Sequence, residues 1–228
     1  MQFKHPFNWS YSSLKTFQQC PKKYYHLRIA KDVKDEDSTA TLYGKELHLA
    51  AEEHIRDGKE IPAKFNFMAD TLQALNKIPG EKHCEIKLGL ALREGRIAKC
   101  EFFAKDVWWR GVADLLIVNN EKKEARLIDY KTSKNAKYAD TKQLDILAAA
   151  VFTHFPQVET IKSGLLFVVS NEFVKKDHER MMRGVYLEQF EPDLKRIDIA
   201  MDNQVWNPIS GPLCKFCPVK GCTHNKKD

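Results

Sequence analysis

The hydrophobic period of this chain switches repeatedly between helical and strand spacing, and that restricts its fold more than any other feature. The first third is helical in pattern. Ser10 or Ser12 can cap a segment running through Leu14 and Phe17 to Tyr24, Tyr25 and Leu27, with Pro21 interrupting it. After the acidic loop Asp35-Glu36-Asp37, a second helix begins near Thr39 or Thr41 and ends at Asp57-Gly58, and Phe65 to Leu75 reads as a third. From Cys84 the period becomes two: Cys84, Ile86, Leu88, Leu90 and Leu92 alternate with Glu85, Lys87, Gly89, Ala91 and Arg93. Strands over about Val107–Val118 and Ala125–Lys131 follow, joined by the polar loop 119–124. Helical spacing then returns between Ala139 and Phe152 in Leu144, Leu147, Ala148, Val151 and Phe152, and Pro156 stops it. A buried strand over 164–169, a strand near 184–190 and a helix over about 192–202 complete the pattern. Helices, antiparallel strands, a helix and further strands predict an α/β fold, with a mixed central sheet flanked by helices.

At 228 residues the chain accommodates one domain with a small appendage. The expected layout is a single unit over 1–228, with a cysteine-bearing N-terminal helix over 10–30, a core over about 38–203 and a cysteine-rich tail over 204–228. The longest unbroken apolar run, Ile146 to Phe152, is far short of the roughly 20 residues that span a bilayer, so no membrane association is expected. The start, Met1 to Pro6, has no signal-peptide pattern, and the expected location is the cytoplasm, where structural disulfides are rare. The formal charge of +6 permits an anionic partner such as nucleic acid.

Chemistry is first readable at Asp129-Tyr130-Lys131. The bare acid-x-lysine pattern means little, because Asp32, Asp57, Glu85, Glu121, Asp140 and Asp193 begin such triplets too. Only at Asp129 does the triplet close an apolar strand directly after a second strand with its own acid, Asp114 in Gly111-Val112-Ala113-Asp114-Leu115-Leu116. Strand period places Asp129 and Lys131 on one face, with Tyr130 on the other, and a paired neighbour brings Asp114 beside them. Clustered carboxylates repel unless a cation joins them. Mg²⁺ suits that role, since it takes carboxylate and phosphate oxygens, polarises a phosphate and acidifies a bound water. Lys131 is then placed to orient the attacking water or offset developing charge.

The six cysteines need another account. Cys214, Cys217 and Cys222 form a C-x-x-C with a third cysteine close by, a metal-binding pattern in a reducing compartment. Two completions stand open: His224 finishing a local Cys₃His zinc site, or distant Cys20 supplying the fourth thiolate of a [4Fe–4S] cluster. Cys84 and Cys100, in strand-like segments, read as small buried hydrophobes.

The run from Gly111 through Asp114 to Ile128-Asp129-Tyr130-Lys131-Thr132, followed by Gln143 on a helix, resembles the PD-(D/E)-x-K nuclease superfamily in its RecB-like branch. Tyr43-Gly44-Lys45-Glu46-Leu47-His48 resembles the branch's upstream helix. The resemblance implies a restriction-endonuclease-like core. It also implies catalytic roles for Lys131, Asp114, Asp129 and Gln143, and a Mg²⁺ or Mn²⁺ site formed by His48, Asp114, Asp129 and the Tyr130 backbone carbonyl. Two positions depart from the pattern: Ala113 stands where the eponymous proline would be, and Leu147 where the branch often has a tyrosine, for which Tyr138 is a candidate substitute. The segment Ser12 to Tyr25, containing Cys20-Pro21, is similar to that of RecB-like nucleases with an iron–sulfur staple, including CRISPR-associated nucleases and a helicase–nuclease subunit. By that comparison Cys20, Cys214, Cys217 and Cys222 hold the cluster, although the last spacing is one residue shorter than the pattern. The implied activity is hydrolysis of DNA from a free end, with a recombination or helicase partner, since no phosphate-binding Gly-Lys-Ser/Thr loop is present. A non-catalytic nucleic-acid-binding module and a zinc-tailed DNA-binding regulator are the competing expectations. Phe7, Trp9, Trp108, Trp109 and Phe216 read equally as core residues or as aromatic candidates for stacking on unpaired bases.

Overall fold

Ser10 starts the first helix by reciprocal capping: its hydroxyl accepts the Ser13 N–H, and the Ser13 hydroxyl accepts the Ser10 N–H. A computed structural model describes residues 1–137 and 139–225, so the candidate Tyr138 lies outside the described residues. Helix α1 (Tyr11–Gln19) stops at Cys20, which caps the short α2 (Pro21–Tyr24). Proline sits at the first helical position of α2, where its missing N–H costs nothing, so Pro21 restarts the chain rather than merely interrupting it. A π-helical turn over Tyr25–Ala30 follows. Ser38 caps α3 (Thr39–Asp57), and Gly58, in the left-handed region at φ 69°, ends it. A 3₁₀ turn, Ala63–Met68, leads into α4 (Ala69–Asn76).

The strands are β1 (Glu81–Arg93), β2 (Arg96–Cys100), β3 (Val107–Asn119), β4 (Glu124–Lys131), β5 (Thr160–Phe167) and β6 (Glu172–Glu179). They form one mixed sheet in the order β2-β1-β3-β4-β5-β6. The β4–β5 pair is parallel and the others are antiparallel. Helix α5 (Lys142–His154) makes the crossover that a parallel pair requires. After β6 come α6 (Arg183–Glu188) and α7 (Glu191–Asn203). Helices cover both faces: α5, with α1, α6 and α7, packs on Leu116, Leu127 and Leu165, while α3 and α4 pack on Leu115, Ile128 and Leu166. Tyr130 points to the α3 side, away from the α5 side where Asp129 and Lys131 meet Gln143.

Several expectations need correction. The segment 184–190 is helical, and the missing strand is β6. Its half-buried and buried positions carry Val174, Lys176 and His178, and the last two meet the Asp145 carboxylate of α5, so no apolar alternation marks the strand. Strand β2 was also unmarked. The single apolar face expected from Cys84 to Leu92 is broken: Cys84 packs on the α3 side, whereas Ile86, Leu88, Leu90 and Leu92 pack on the α5 side. Glu85 between them is left-handed at φ 48°, and this backbone reversal moves the alternation across the sheet. Cys84 and Cys100 are half-buried rather than fully enclosed. Trp9, Trp108 and Trp109 belong to the core, with Trp9 bridged in parallel to Trp109.

Candidate active site

The β3–β4 ladder ends at Leu115 and Ile128, and the next step of that register sets Asp114 opposite Asp129. There the strands cease to pair through the main chain. The Tyr130 N–H donates instead to Asp114 Oδ2 at 2.6 Å. Both acids are buried, at 8% and 3% exposure. Burial and the charge of Asp114 push the Asp129 carboxyl up to about 6, against the pull of Lys131. Holding two such carboxyls together requires positive charge, which is the condition for a cation site.

One compensating charge comes from the same strand. Lys131 Nζ lies 2.5 Å from Asp129 Oδ2 and donates to Gln143 Oε1 at 3.0 Å. Gln143 Nε2 in turn donates to Asp129 Oδ1 at 2.7 Å. Gln143 sits in the first turn of α5, so the crossover helix delivers an amide that fixes acid and ammonium in one orientation.

On the other side of the acids, α3 carries His48. Its Nδ1 is 3.3 Å from Asp114 Oδ1 and 3.6 Å from Glu85 Oε1, and its ring stands edge-on to Tyr130 at 5.9 Å between centroids. Burial opposes protonation of this imidazole, but hydrogen bonding and charge from Asp114 and Glu85 prevail and raise it to about 10. One ligand atom from each of His48, Glu85 and Asp114 comes within 4.8 Å of the other two. The sequence reading assigned Asp129, rather than Glu85, to this set. Glu85 was passed over as one of many acid-x-lysine triplets, and its left-handed backbone has no sequence signal. Of the three, His48 and Glu85 line an open groove of about 700 Å³, with Lys45, Lys87 and Thr132 among its other walls.

The residue pattern of the PD-(D/E)XK nuclease superfamily matches residues 8–222 of the chain. The chain belongs to that superfamily. Among solved structures, one described as a "putative exonuclease" from Eubacterium rectale is similar in fold at 16% identity and a TM-score of 0.52, over 92% of this chain and 86% of that one. The crystal structure of SSO0001 aligns at 16% identity and a TM-score of 0.48, over 98% of this chain and 90% of that one. No curated protein matches the chain.

PD-(D/E)XK nucleases use divalent metals, and the donor set here fits one. Two carboxylates and an imidazole from three elements suit Mg²⁺ or Mn²⁺, which favour oxygen-rich sites. Among the described residues, no helix is long and apolar enough to cross a membrane.

The four cysteines meet at the far end of the chain. Cys20, Cys214, Cys217 and Cys222 line one cavity of about 310 Å³, with Ile209, Phe216 and Asn225 among its other walls. The N–H groups of Lys23 and Ile209 point at Cys20 Sγ at 3.4 and 3.5 Å, and that of Gly211 at Cys214 Sγ at 3.3 Å. Trp206 stacks on Tyr24 and leans on Tyr25, fastening the start of the tail to the N-terminal helices.

Proposed function

We propose that this chain is a metal-dependent deoxyribonuclease that hydrolyses phosphodiester bonds, working from a free DNA end. The observation that carries the reading is the convergence of Asp114, Asp129, Lys131 and Gln143 at one sheet end, beside His48 and Glu85 in an open groove. A buried acid pair held this way gains nothing for stability that apolar residues would not supply better.

In this reading His48, Asp114, Asp129 and the Tyr130 carbonyl hold the divalent ion, and Glu85 joins them. A Mg²⁺ or Mn²⁺ held by these residues would supply polarisation of the scissile phosphate and a lowered pKa for an attacking water. Lys131, paired with Asp129, offsets negative charge as it develops on the phosphate. Gln143 ties the acid and the ammonium together, donating to Asp129 Oδ1 and accepting from Lys131 Nζ, and so fixes the orientation of both. Tyr130 supplies its N–H to orient Asp114, leaving the Oδ1 oxygen of that acid toward His48.

The preference for ends, and a recombination or helicase partner, rest on the resemblance to small RecB-like chains. The same resemblance supports a [4Fe–4S] staple on Cys20, Cys214, Cys217 and Cys222, to which the cavity of four thiols is suited. It joins the N-terminal segment 10–30 to the tail 204–228 around the core 38–203, with residues 1–228 acting as one unit. Zinc is the competing occupant.

Digestion of end-labelled linear DNA and of covalently closed circles, with Mg²⁺, Mn²⁺ or chelator, tests the activity. Progressive loss of linear DNA with metal, none with chelator and survival of circles are expected. Rapid nicking of closed circles would convert the reading to an endonuclease, and no cleavage of any DNA would end it.

A further inference from the structure

The aromatic residues expected to meet DNA are largely committed elsewhere. Trp9, Trp108 and Trp109 are core residues, and Phe7 packs edge-on against Phe3. Phe216 is exposed, but it lines the cysteine cavity rather than the acid groove. A residue outside that group occupies the position they were assigned. Phe103, on the turn between β2 and β3, is 75% exposed. It stands edge-on to Phe102, with centroids 4.9 Å apart and an interplanar angle of 82°.

Two cations accompany this pair. Lys87 Nζ lies 5.9 Å from the centre of the Phe103 ring, and Arg110 Cζ lies 5.7 Å from that of Phe102. Lys87 also lines the groove that contains His48 and Glu85, so the aromatic pair adjoins the acids instead of standing apart. Lys87 follows Glu85 by two residues on β1, and Arg110 precedes Asp114 by four on β3. At about 3.4 Å per residue those steps run roughly 7 and 14 Å along the ribbon from the acids.

A lone exposed phenylalanine needs no explanation. An exposed ring beside an ammonium, paired edge-on with a second ring that carries a guanidinium, on a strip leading from clustered carboxylates, has the composition of a single-strand binding track. Bases stack on the ring face, and the cations take the phosphates. Bases within a duplex are already stacked on one another and cannot use such a ring. We propose that Phe103, with Phe102, Lys87 and Arg110, is a stacking site for an unpaired nucleotide of the DNA strand lying in the groove. Single-stranded DNA, or the single-stranded end of a duplex, is then the favoured substrate. The contacted base lies about two to four nucleotides from the scissile bond at 3.4 Å per stacked nucleotide, and fewer if the strand is extended. This rests on the nuclease reading of the groove.

Binding can be separated from cleavage. The full chain carrying Lys131→Ala is titrated with a fluorescent oligothymidylate and with a blunt duplex of the same length, with and without Phe103 substitutions. Phe103→Ala is expected to weaken single-strand binding roughly five-fold or more, the effect of removing one base–aromatic stack, with the duplex affinity nearly unchanged. Phe103→Trp should retain binding, while Phe103→Leu, apolar but without a π face, should behave like alanine. Lys87→Ala should reduce the salt dependence by about one phosphate contact, and Phe103→Ala should leave that slope intact. Unaltered single-strand affinity in Phe103→Ala, equal losses on both DNAs, or full rescue by leucine would overturn the stacking site. Digestion of end-labelled DNA by the chain without substitutions reports on the nuclease reading separately: cleavage there, with unaltered binding in Phe103→Ala, removes only the stacking site.

Discussion

The Tyr130 N–H donates to the Asp114 carboxylate at 2.6 Å, so the β ladder hands a main-chain donor to a side chain at the point where the acids gather. On the proposed reading Asp114 has two separable duties, one toward the backbone and one toward a cation. Asp114→Asn keeps an oxygen for the Tyr130 N–H but loses the charge. We expect it to fold with near-parental stability, lose cleavage and lose the rise in melting temperature that Mg²⁺ or Mn²⁺ gives the parent by binding the folded state. Asp114→Ala strands the N–H as well, and should melt lower by about 1–3 kcal/mol even without metal. Thermal melts of both variants with metal and with chelator separate the two duties.

Lys131 and Gln143 divide differently. Lys131 touches Asp129 and Gln143 but contributes no lone pair to a cation, so Lys131→Ala should lower the cleavage rate by at least about a hundred-fold while keeping the metal-induced melting shift. Gln143→Ala removes the amide that orients both partners, and a loss of about 10- to 100-fold is expected, mainly in kcat. Parental turnover in the lysine variant would show the active-site assignment to be wrong.

How far the sequence shows these features depends on what each residue answers to. Asp129 and Lys131 are legible because strand period alone sets them on one face, whereas Gln143 is legible only through the family resemblance, which singles it out on the helix that follows. Glu85 is not: its approach to His48 and Asp114 depends on a left-handed backbone at a residue with no intrinsic preference for it. Strand β6 is hidden because Lys176 and His178 face the sheet's α5 side, where Asp145 satisfies them, so the hydrophobic signal is absent although the strand is real. Gly184 to Phe190 fails in the opposite sense. Val185, Tyr186 and Leu187 suit a strand, yet this segment packs against α5 as a helix, and tertiary contact overrides local preference.

The Asp145 cluster makes a prediction about pH. Its buried carboxylate accepts from His178 Nε2 at 2.9 Å, Lys176 Nζ at 2.8 Å and Gln189 Nε2 at 2.9 Å. Burial alone would raise this carboxyl, but those donors outweigh it and hold it below the usual carboxylate range. A depressed folded pKa means that the stabilisation is complete above the unfolded value of about 3.9 and is lost as pH falls through the lower folded value. Asp145→Asn should cost about 3 kcal/mol at neutral pH, the low end for breaking a buried pair, because the Lys176 side chain is one-third exposed. The deficit relative to the parent should shrink below about pH 4. Urea unfolding at neutral and acid pH measures both, and a deficit that does not change with pH would show that packing, not charge, is responsible.

The cysteine cavity offers the sharpest choice between chemistries, because its two occupants recruit different fourth ligands. Cys20 lines the cavity with the three tail cysteines and receives two backbone N–H groups at its sulfur. If a [4Fe–4S] cluster occupies it, anaerobically purified protein should be brown, absorb broadly near roughly 400 nm and contain about four irons per chain. Cys20→Ser should then bleach the protein and destabilise it, because the N-terminal helices lose their covalent tie to the tail, while His224→Ala should do little. A zinc site completed by His224 predicts the reverse: a colourless protein with one zinc, sensitive to His224→Ala and indifferent to Cys20→Ser. Metal analysis and melting of the two variants decide the matter. Stoichiometric zinc with parental stability in Cys20→Ser would rule out the cluster, since a ligand nearly two hundred residues upstream of the tail cannot be dispensable to a group that needs four thiolates.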